Sequence, residues 1–340
     1  MIDGWHHSIV NRVLVTGGLG FIGKHLCKKL LELDFQVVCL DDESSSSSDA
    51  EDFIADSARE KSQFSFVCGS VLDHGLVSNL MQSGISTVFH LAAKLGVRNI
   101  IDNQLEALET NVVGTHNILE AASSAKVPTF VASSSEVYGK SAAMPFVEDS
   151  DLVLGSSSIQ RWGYAASKIL DEFEALACYR ENKLPAIVGR FFNIVGPGQL
   201  PESGMVIPKM VEAALGRRPL EVLGDGFQRR CFCHVDDCVD ALVKLMLPEK
   251  PRSDLYGQIF NIGNPKNEIS MLELAEKIKS KTGSVSEVKV IPYSEVYAPG
   301  TFEDMKRRLP SVAKIESAVS WSPSRSLDEI ISDTVIASCR

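Results

Sequence analysis

Short apolar runs alternate with segments of mixed polarity over the first 135 residues of the chain. The apolar runs have the length of buried strands, and the mixed segments repeat apolar residues at the spacing of an amphipathic helix. The predicted strands are Arg12–Thr16, Gln36–Leu40, Phe64–Cys68, Thr87–Leu91 and Thr129–Ser133, and the predicted helices are Lys24–Leu33 and Gln104–Ala125. Buried strands that alternate with helices predict an α/β protein with a doubly wound parallel sheet.

The pattern changes after residue 190, where proline and glycine become frequent and the elements become shorter. Apart from the two helices above, the spacing predicts helices at Tyr164–Asn182, Asp237–Leu247 and Ser270–Thr282. We therefore expect two units in the chain. The first is a domain of residues 1–190, to which parts of 234–262 return, and the second is a smaller C-terminal lobe of residues 191–233 and 263–340.

Composition and charge exclude several classes of protein. The 340 residues include 34 basic and 44 acidic side chains, a net charge of −10, and no lysine- or arginine-rich block, which argues against nucleic acid or an anionic membrane as the partner. No apolar stretch approaches the roughly 18 residues of a membrane span. The segment from Met1 to Asn11 lacks the apolar core of a signal peptide, and the 8 cysteines are scattered, so we expect reduced thiols in a cytoplasmic protein.

A glycine-rich loop joins the first predicted strand to the first helix. The spacing of Gly17, Gly20 and Gly23 permits a tight turn, close approach of the backbone to a pyrophosphate, and close packing of helix on sheet. The following helix N-terminus offers free N–H groups to phosphates. Asp41, at the end of the second strand, can accept both ribose hydroxyls of NAD and would repel the 2′-phosphate of NADP. The alternatives are a loop kept only for packing, and Asp41 or Asp42 as a turn residue.

Tyr164 and Lys168 lie four residues apart, and therefore on one face of a predicted helix. An adjacent ammonium and an oxidised nicotinamide ring would both favour the phenolate of Tyr164 and lower its pKa. Such a phenolate could take a proton from a sugar hydroxyl while that carbon is oxidised. A tyrosine and a lysine at this spacing also occur by chance in many helices, so the pair gains weight only beside the glycine loop.

Polar residues follow the strand Thr129–Ser133, at the edge where parallel sheets bind their ligands. Ser134 lies there, and Glu136 follows two residues later, on the same side of an extended strand. A buried glutamate beside a pocket can have a raised pKa and act as an acid or a base. The structural alternative is a serine and a glutamate that cap the next turn.

These motifs together resemble the extended short-chain dehydrogenase/reductase family, and in particular its nucleotide-sugar epimerase, dehydratase and decarboxylase branch. The resemblance covers nearly the whole chain. The matching segments are Gly17–Gly23, His90–Ala93, Asn111–Thr115, Ser134–Gly139, Tyr164–Lys168, Arg190–Asn193, Gly224–Phe232, Arg307–Ser311 and Trp321–Pro323. Ser70 departs from the pattern, because many relatives place there an aspartate that contacts adenine.

The resemblance implies a Rossmann-type fold, NAD as the cofactor, and a nucleoside-diphosphate sugar, a UDP-sugar first among them, as the substrate. It places the following residues at the cofactor: Gly17, Gly20, Phe21, Ile22, Gly23, Asp41, Leu91, Ala92, Ala93, Asn111, Tyr164 and Lys168. It assigns catalysis to Ser134, Tyr164 and Lys168, with Ser135 and Glu136 beside them. It assigns the substrate to Asn193, Arg230, Arg308 and Ser134, and a guanidinium fork suits phosphate oxygens. It also implies a homodimer, in which Gln104–Ala125 and Tyr164–Asn182 pair with their copies.

The reaction stays open at this point. Members of the branch first make a 4-keto sugar, and epimerisation, 4,6-dehydration or decarboxylation can follow. Glu136 is typical of dehydratases and decarboxylases, and the segments Gln160–Gly163, Asn261–Glu268 and Phe302–Arg308 resemble the UDP-glucuronate decarboxylase and UDP-apiose/xylose synthase group. Met205 stands where those relatives carry an arginine, which keeps a neutral hexose possible.

We therefore expect an enzyme with a lyase step, decarboxylation of a substrate such as UDP-glucuronate or 4,6-dehydration, with Glu136 as acid or base. The alternative is a 4-epimerase of UDP-glucose, UDP-glucuronate or UDP-N-acetylglucosamine. A non-catalytic NAD-binding sensor on the same scaffold is more distant.

One cluster of possible metal ligands belongs to a different class of site. Cys231, Cys233 and His234 lack the second ligand pair of a zinc site, so no metal is expected. Asp236 and Asp237, which follow, are predicted to be the N-cap of the next helix.

Overall fold

A parallel sheet of seven strands forms the centre of the computed structural model, which describes residues 11–44, 50–55, 61–95, 103–201, 204–250, 252–298 and 302–339. Its strands, numbered in chain order, are β1 (Arg12–Thr16), β2 (Gln36–Asp41), β3 (Phe64–Cys68), β4 (Thr87–His90), β5 (Thr129–Ser134), β6 (Ala186–Phe191) and β11 (Gln258–Ile262). They are ordered β11-β6-β5-β4-β1-β2-β3. From β1 the chain adds β2 and β3 on one side of the sheet and then β4 to β6 on the other side. This change in strand order opens a crevice at the carboxyl ends of β1 and β4.

Helices cover both faces of this sheet. The helices of the described residues are α1 (Phe21–Glu32), α2 (Ala50–Ala55), α3 (His74–Gln82), α4 (Gln104–Ala125), α5 (Arg161–Asn182), α6 (Val206–Leu215), α7 (Val235–Met246), α8 (Met271–Thr282), α9 (Tyr293–Val296), α10 (Ala313–Val319) and α11 (Leu327–Ser338). Val13 and Val15 of β1 belong to the core that contains α1 and α7, while Leu14 belongs to the core that contains α3 and α4. The prediction of a doubly wound α/β fold is therefore confirmed.

The remaining strands form small sheets beside the carboxyl edge of the large one. They are β7 (Ile194–Val195), β8 (Leu220–Leu223), β9 (Arg229–Cys231), β10 (Cys233–His234), β12 (Glu268–Ser270), β13 (Val288–Ile291) and β14 (Arg307–Arg308). A separate apolar core holds α6, α8 and α11 together. Because β9 and β14 pair in parallel with Arg308 opposite Arg230, two arginines far apart in sequence lie side by side.

Three helices begin earlier than their sequence patterns predict. Helix α1 begins at Phe21 instead of Lys24, directly after the glycine loop, and α5 begins at Arg161 instead of Tyr164. Helix α7 begins at Val235, and its N-cap is His234, whose Nδ1 accepts from the N–H of Asp236 (3.0 Å). The prediction that the two aspartates cap this helix is wrong.

The reason lies in the side chain of Asp237, which is buried. Its carboxylate accepts from the N–H and hydroxyl of Ser324 (3.2 and 2.9 Å) and from the N–H of Arg325 (3.0 Å). The carboxylate of Asp237 therefore binds the segment that precedes α11. Across the described ranges, no helix combines the length and apolar character needed to span a bilayer; the first ten residues lie outside those ranges.

Candidate active site

The glycine loop lies between β1 and α1, against the segment that follows β4. Gly17 has a φ of +67°, and a Cβ there would lie 2.7 Å from the backbone nitrogen of Ala92. A Cβ on Gly23 would overlap the carbonyl oxygen of Gly17. Gly20 is the N-cap of α1 and brings no side-chain cap, so the amides of the first turn, from Phe21 and Ile22 onward, face the crevice without a competing side chain. The loop keeps the space and the donors that a pyrophosphate requires.

Asp41 ends β2 and fixes the other side of the loop. Its Oδ2 accepts from the N–H of Leu19 (3.0 Å), and its Oδ1 accepts from the N–H of Glu43 (2.8 Å). Burial raises the pKa of Asp41, and these two N–H groups act in the opposite direction. Each carboxylate oxygen keeps a second lone pair, which is what recognition of two ribose hydroxyls needs. The position predicted from sequence for NAD therefore fits the cofactor.

The wall of the crevice is the segment Leu91–Ala93, which continues β4. Asn111 of α4 holds its far end, because Oδ1 accepts from the N–H of Lys94 (2.9 Å) and Nδ2 donates to the carbonyl of Lys94 (3.2 Å). The same Nδ2 lies 3.2 Å from Oγ of Ser167 on α5. The hydroxyl of Ser70, at the position where the resemblance implies a contact with adenine, accepts from the N–H of Leu72 (3.2 Å) and so closes a turn. Asn111 thus braces the cofactor wall.

Tyr164, Lys168 and Ser134 meet where β5 ends and α5 begins. Tyr164 is half-buried, and the Ser134 hydroxyl is close enough to help lower its pKa. Lys168 is 2% exposed, and its ammonium also lowers the pKa of Tyr164. Burial outweighs both, so the pKa of the phenol is raised overall. The ammonium acts in the predicted direction, and the predicted net lowering, which also depends on an oxidised nicotinamide ring, stays a prediction.

Glu136 lies in a 3₁₀ turn, Ser135–Tyr138, instead of on an extended strand. Ser134 caps this turn by accepting from the N–H of Glu136 (3.2 Å), so the structural alternative for the serine also holds. Arg161 contacts both carboxylate oxygens (3.0 and 3.2 Å), and Nη1 of Arg308 donates to Oε1 (2.7 Å). These cations lower the pKa of Glu136 against the effect of burial. The prediction of a raised pKa is wrong, and the side chain is a carboxylate at neutral pH.

A second buried carboxylate, Asp304, completes a charge cluster beside Glu136. Its Oδ1 accepts from Nη1 of Arg161 and from Nη2 of Arg230, both at 2.8 Å, and its Oδ2 accepts from the hydroxyl of Tyr293 (2.6 Å). The arginines lower the pKa of Asp304 to about 2. Burial and the neighbouring Arg308 lower the pKa of Arg230 to about 10. Three guanidinium groups therefore share two carboxylates.

The structure places the other predicted substrate residues as follows. Ser135 is buried, and its hydroxyl lies 3.4 Å from Nη1 of Arg308. Asn193 has a φ of +41° and donates from Nδ2 to the carbonyl of Cys231 (2.7 Å), which leaves its Oδ1 for other donors. Met205 is half-buried at the N-terminus of α6 and brings no charge.

Sequence reasoning missed the roles of Arg161 and Asp304 in this cluster. Arg161 lies three residues before Tyr164 on the same helix, so its side of the helix was predictable once α5 was extended by one turn. Asp304 gives no comparable signal. Its place depends on the pairing of β14 with β9, which brings the residues near 304 to Arg230.

Comparisons with known proteins agree with this geometry. Residues 14–334 match the family model described as GDP-mannose 4,6 dehydratase. The chain is 37% identical over 326 residues to the UDP-N-acetyl-alpha-D-glucosaminuronate decarboxylase of Bacillus cytotoxicus, which covers 95% of this chain and 96% of that one. It is 29% identical to the UDP-glucuronic acid decarboxylase 1 of Arabidopsis thaliana, over 94% of this chain and 67% of the plant protein.

Two solved structures show the same architecture. One is the UDP-glucuronic acid 4-epimerase of Bacillus cereus in complex with UDP-glucuronic acid and NAD, with a TM-score of 0.83, 26% identity, and coverage of 96% of this chain and 98% of that chain. The other is the dTDP-glucose 4,6-dehydratase of Streptomyces venezuelae with NAD bound, with a TM-score of 0.83, 28% identity, and coverage of 96% of each chain.

Proposed function

The chain belongs to the GDP-mannose 4,6 dehydratase family and is an NAD-dependent, nucleotide-sugar-modifying short-chain dehydrogenase/reductase, and from this premise we propose that it decarboxylates a UDP-linked hexuronate. Two curated relatives are named for the decarboxylation of UDP-linked uronates. The observation that carries the proposal is the charge state of Glu136, which is held as a carboxylate between Arg161 and Arg308 two residues after Ser134.

The chemistry of the three possible reactions explains why this charge state matters. In a 4-keto hexuronate the carboxylate is β to the ketone, so carbon dioxide leaves as the ketone takes up the electron pair of the C5–C6 bond. No proton donor at C6 is needed. Dehydration, in contrast, needs an acid for the departing 6-hydroxyl. Glu136 with its lowered pKa cannot be that acid at neutral pH, and the adjacent Ser135 carries only a hydroxyl. The site therefore suits decarboxylation better than dehydration.

We assign the proton transfer at the sugar C4 hydroxyl to Tyr164. The hydroxyl of Ser134 would lie between the phenol oxygen of Tyr164 and the C4 oxygen of the sugar. Lys168 stabilises the phenolate through its charge. NAD, bound at the glycine loop, supplies the two-electron oxidation at C4 and its reversal. Glu136 acts near C5 of the sugar. Its carboxylate, held by two guanidinium groups, orders the water molecule from which C5 regains a proton after carbon dioxide leaves.

The arginine cluster supplies the cations that such a substrate needs. A UDP-hexuronate brings a diphosphate and a carboxylate, and planar guanidinium groups pair well with both. We assign the diphosphate to Arg230, Arg308 and Asn193. Arg161 and Arg308 lie beside Glu136 and provide positive charge near the uronate carboxylate, in place of the cation that Met205 does not offer.

The same proposal covers the organisation of the molecule. Residues 1–190, with parts of 234–262, form the NAD-binding domain, and 191–233 with 263–340 form the nucleotide-sugar-binding lobe. The return of β11 to the large sheet beside β6 supports this division. We also propose a homodimer in which α4 and α5 pack against their copies, because Leu105, Val113, Leu170 and Phe173 of these helices are exposed.

Incubation with a panel of nucleotide sugars, followed by mass detection, tests the proposed reaction. The panel contains UDP-glucuronate, UDP-N-acetylglucosaminuronate, UDP-glucose, UDP-N-acetylglucosamine and dTDP-glucose. We expect a product lighter by one carbon dioxide from at least one of the two uronates and no turnover of dTDP-glucose. A product lighter by one water would overturn the proposal in favour of dehydration. An isomer of unchanged mass would overturn the proposal in favour of a 4-epimerase.

A further inference from the structure

A buried carboxylate, Asp171, lies one helical turn after Lys168 on α5. Its Oδ2 is 3.0 Å from Nζ of Lys168, and both side chains are almost fully buried, with exposed fractions of 1% and 3%. The other oxygen, Oδ1, is buried and has no hydrogen-bond partner within the described part of the chain. The roles assigned above to Tyr164, Lys168 and Ser134 leave this carboxylate unexplained.

The groups that face this ion pair come from several elements. The titratable ones are Tyr164, Glu172 and Glu174 of α5, His90 of β4 and Glu136 of the 3₁₀ turn. His90 lies between Thr16 (Nδ1 to Oγ1, 2.7 Å) and Thr115 (Nε2 to Oγ1, 3.0 Å). Burial, with Lys168 nearby, lowers the pKa of His90 to about 3, so this histidine is neutral.

The other carboxylates of this region have partners of their own. Glu172 pairs with Arg190 (2.7 Å), Glu136 with Arg161 and Arg308, and Glu174 with His116 (2.6 Å). Asp171 has Lys168. Tyr164 therefore lies near one ammonium, that of Lys168, and near two carboxylates, those of Glu136 and Asp171, of which Asp171 pairs with the ammonium.

The charge of Asp171 affects the pKa values of both Lys168 and Tyr164. A buried ammonium without a counter-charge would tend to lose its proton, and Asp171 instead raises the pKa of Lys168. Lys168 lowers the pKa of Tyr164, whereas Asp171 raises it. The carboxylate thus keeps the lysine charged and reduces the effect of that charge on the tyrosine.

We propose that Asp171 is a positioning residue of the active site, which fixes the Lys168 ammonium in place and keeps it charged beside Tyr164. The inference rests on the proposed roles of Tyr164 and Lys168. It assigns Asp171 no contact with the substrate or with NAD. Its effect reaches the reaction through Lys168.

The test compares the wild type with Asp171→Asn, which keeps the shape and removes the charge. We expect the Tyr164 phenolate, followed by its near-ultraviolet absorbance and identified by its loss in a Tyr164→Phe background, to form at higher pH in the variant, because Lys168 without its counter-charge tends to lose its proton and acts on Tyr164 more strongly than Asp171 does. The acidic limb of the kcat profile should move the same way. At a pH on that limb, the rate relative to each enzyme's own plateau should fall roughly threefold to tenfold, as a shift of half to one pH unit produces. The plateau itself should fall, because Nζ is no longer fixed.

Glu181→Gln, an exposed carboxylate-to-amide change near the end of the same helix, is the matched control and should leave both titrations in place. A lower plateau in Asp171→Asn with an unmoved phenolate titration and an unmoved acidic limb would show a merely structural residue and overturn the inference. If the Asn variant does not fold, Asp171→Ser removes the charge with a smaller side chain and is judged by the same two readouts. Full activity in Tyr164→Phe would instead overturn the proposed function.

Discussion

The carboxylates of Glu136 and Asp171 differ in their cations, and this difference sets the direction in which their pKa values shift. Two guanidinium groups outweigh the burial of Glu136 and lower its pKa, whereas one ammonium does not outweigh the burial of Asp171, whose pKa is raised. The sequence indicates that Glu136 is buried beside a pocket, but it does not show that residues 161 and 308 lie against it. The position of Glu136 in the candidate site was therefore predictable from the sequence, and the direction of its pKa shift was not.

Removal of the Tyr164 hydroxyl tests the proposed proton acceptor. We expect Tyr164→Phe to lower kcat by about a hundredfold to ten-thousandfold, the range that general acid–base groups contribute. NAD affinity, measured by fluorescence quenching, should stay near the wild-type value, because the glycine loop and Asp41 are unchanged. Tyr179→Phe on the same helix is the control and should keep full activity. A Tyr164→Phe enzyme as fast as this control would exclude the assigned role.

The charge of Asp304 makes a prediction about acid stability. Its pKa is about 2 in the folded protein against an ordinary value of 3.8, so the depressed pKa contributes stability that is complete above 3.8 and is lost as the pH falls through about 2. The difference corresponds to roughly 2 kcal/mol. Asp304→Asn should therefore lower the free energy of unfolding in urea by about that amount at pH 7.

The loss in the Asn variant should shrink as the pH approaches the folded-state pKa, because the wild-type carboxylate is then also uncharged. The exposed Asp151→Asn is the matched control, and its unfolding should match the wild type throughout. If the unfolding free energy of Asp304→Asn stays below that of the wild type by a constant amount over the whole acid range, the charge of Asp304 is not the cause of the difference.

At the scale of elements, strands were easier to locate than helix starts. The ranges of β1 and β3 agree with their predictions residue for residue, although β1 is buried from Val13 onward and β3, at the edge of the sheet, is only partly buried. The start of α5 was placed three residues late, since Arg161 and Trp162 look like loop residues until Glu136 and Asp304 are known to accept from the arginine. The local apolar pattern therefore predicts that a strand or helix is present, whereas contacts with residues distant in sequence determine where it begins.

Comparison of Gly17, in the glycine loop, with Gly283 allows the effect of steric exclusion to be separated from that of backbone strain. Gly17 and Gly283 have similar φ angles, +67° and +62°, but a Cβ would collide with the Ala92 backbone only at Gly17, whereas nothing lies within 4 Å at Gly283. Gly283→Ala should cost about 1 kcal/mol of unfolding free energy and leave NAD binding unchanged.

Gly17→Ala should cost more than Gly283→Ala and weaken NAD binding at least about tenfold, because the loop must shift away from the β4 segment. Thermal unfolding and NAD fluorescence titration measure the two effects. Equal losses of stability in the two variants, with NAD affinity retained in both, would show that strain alone explains the choice of glycine at 17.

At the scale of the molecule, the site depends on residues that the fold brings together from both halves of the chain. Tyr164 and Glu136 come from the large-sheet half, while Arg230, Asp304 and Arg308 arrive on or beside β9 and β14. Sequence motifs predicted the first group by spacing, since its members are local to one strand end and one helix. Arg230 and Arg308 came only from resemblance, and Asp304 was missed, because the pairing of two- and three-residue strands leaves no periodic signal.

The outer surface of the same helix pair gives the last prediction. Helices α4 and α5 run parallel, because Gln104 contacts Gln160 at their starts and Lys126 contacts Asn182 at their ends. Leu170 and Phe173, 55% and 62% exposed, lie on the face of α5 opposite the buried Asp171. A second copy would cover this apolar face and brace the helix that carries Tyr164 and Lys168.

Light scattering should give twice the chain mass of 37.1 kDa for the wild type and the single-chain mass for Phe173→Glu. Ile336→Glu changes an equally apolar and 54% exposed position on α11, and this control should remain dimeric. Because α5 carries Tyr164 and Lys168, the proposed catalytic pair, the monomeric Phe173→Glu should also lose activity, whereas Ile336→Glu should not. A wild type that is monomeric at micromolar concentration, or a Phe173→Glu variant that stays dimeric, would contradict this interface.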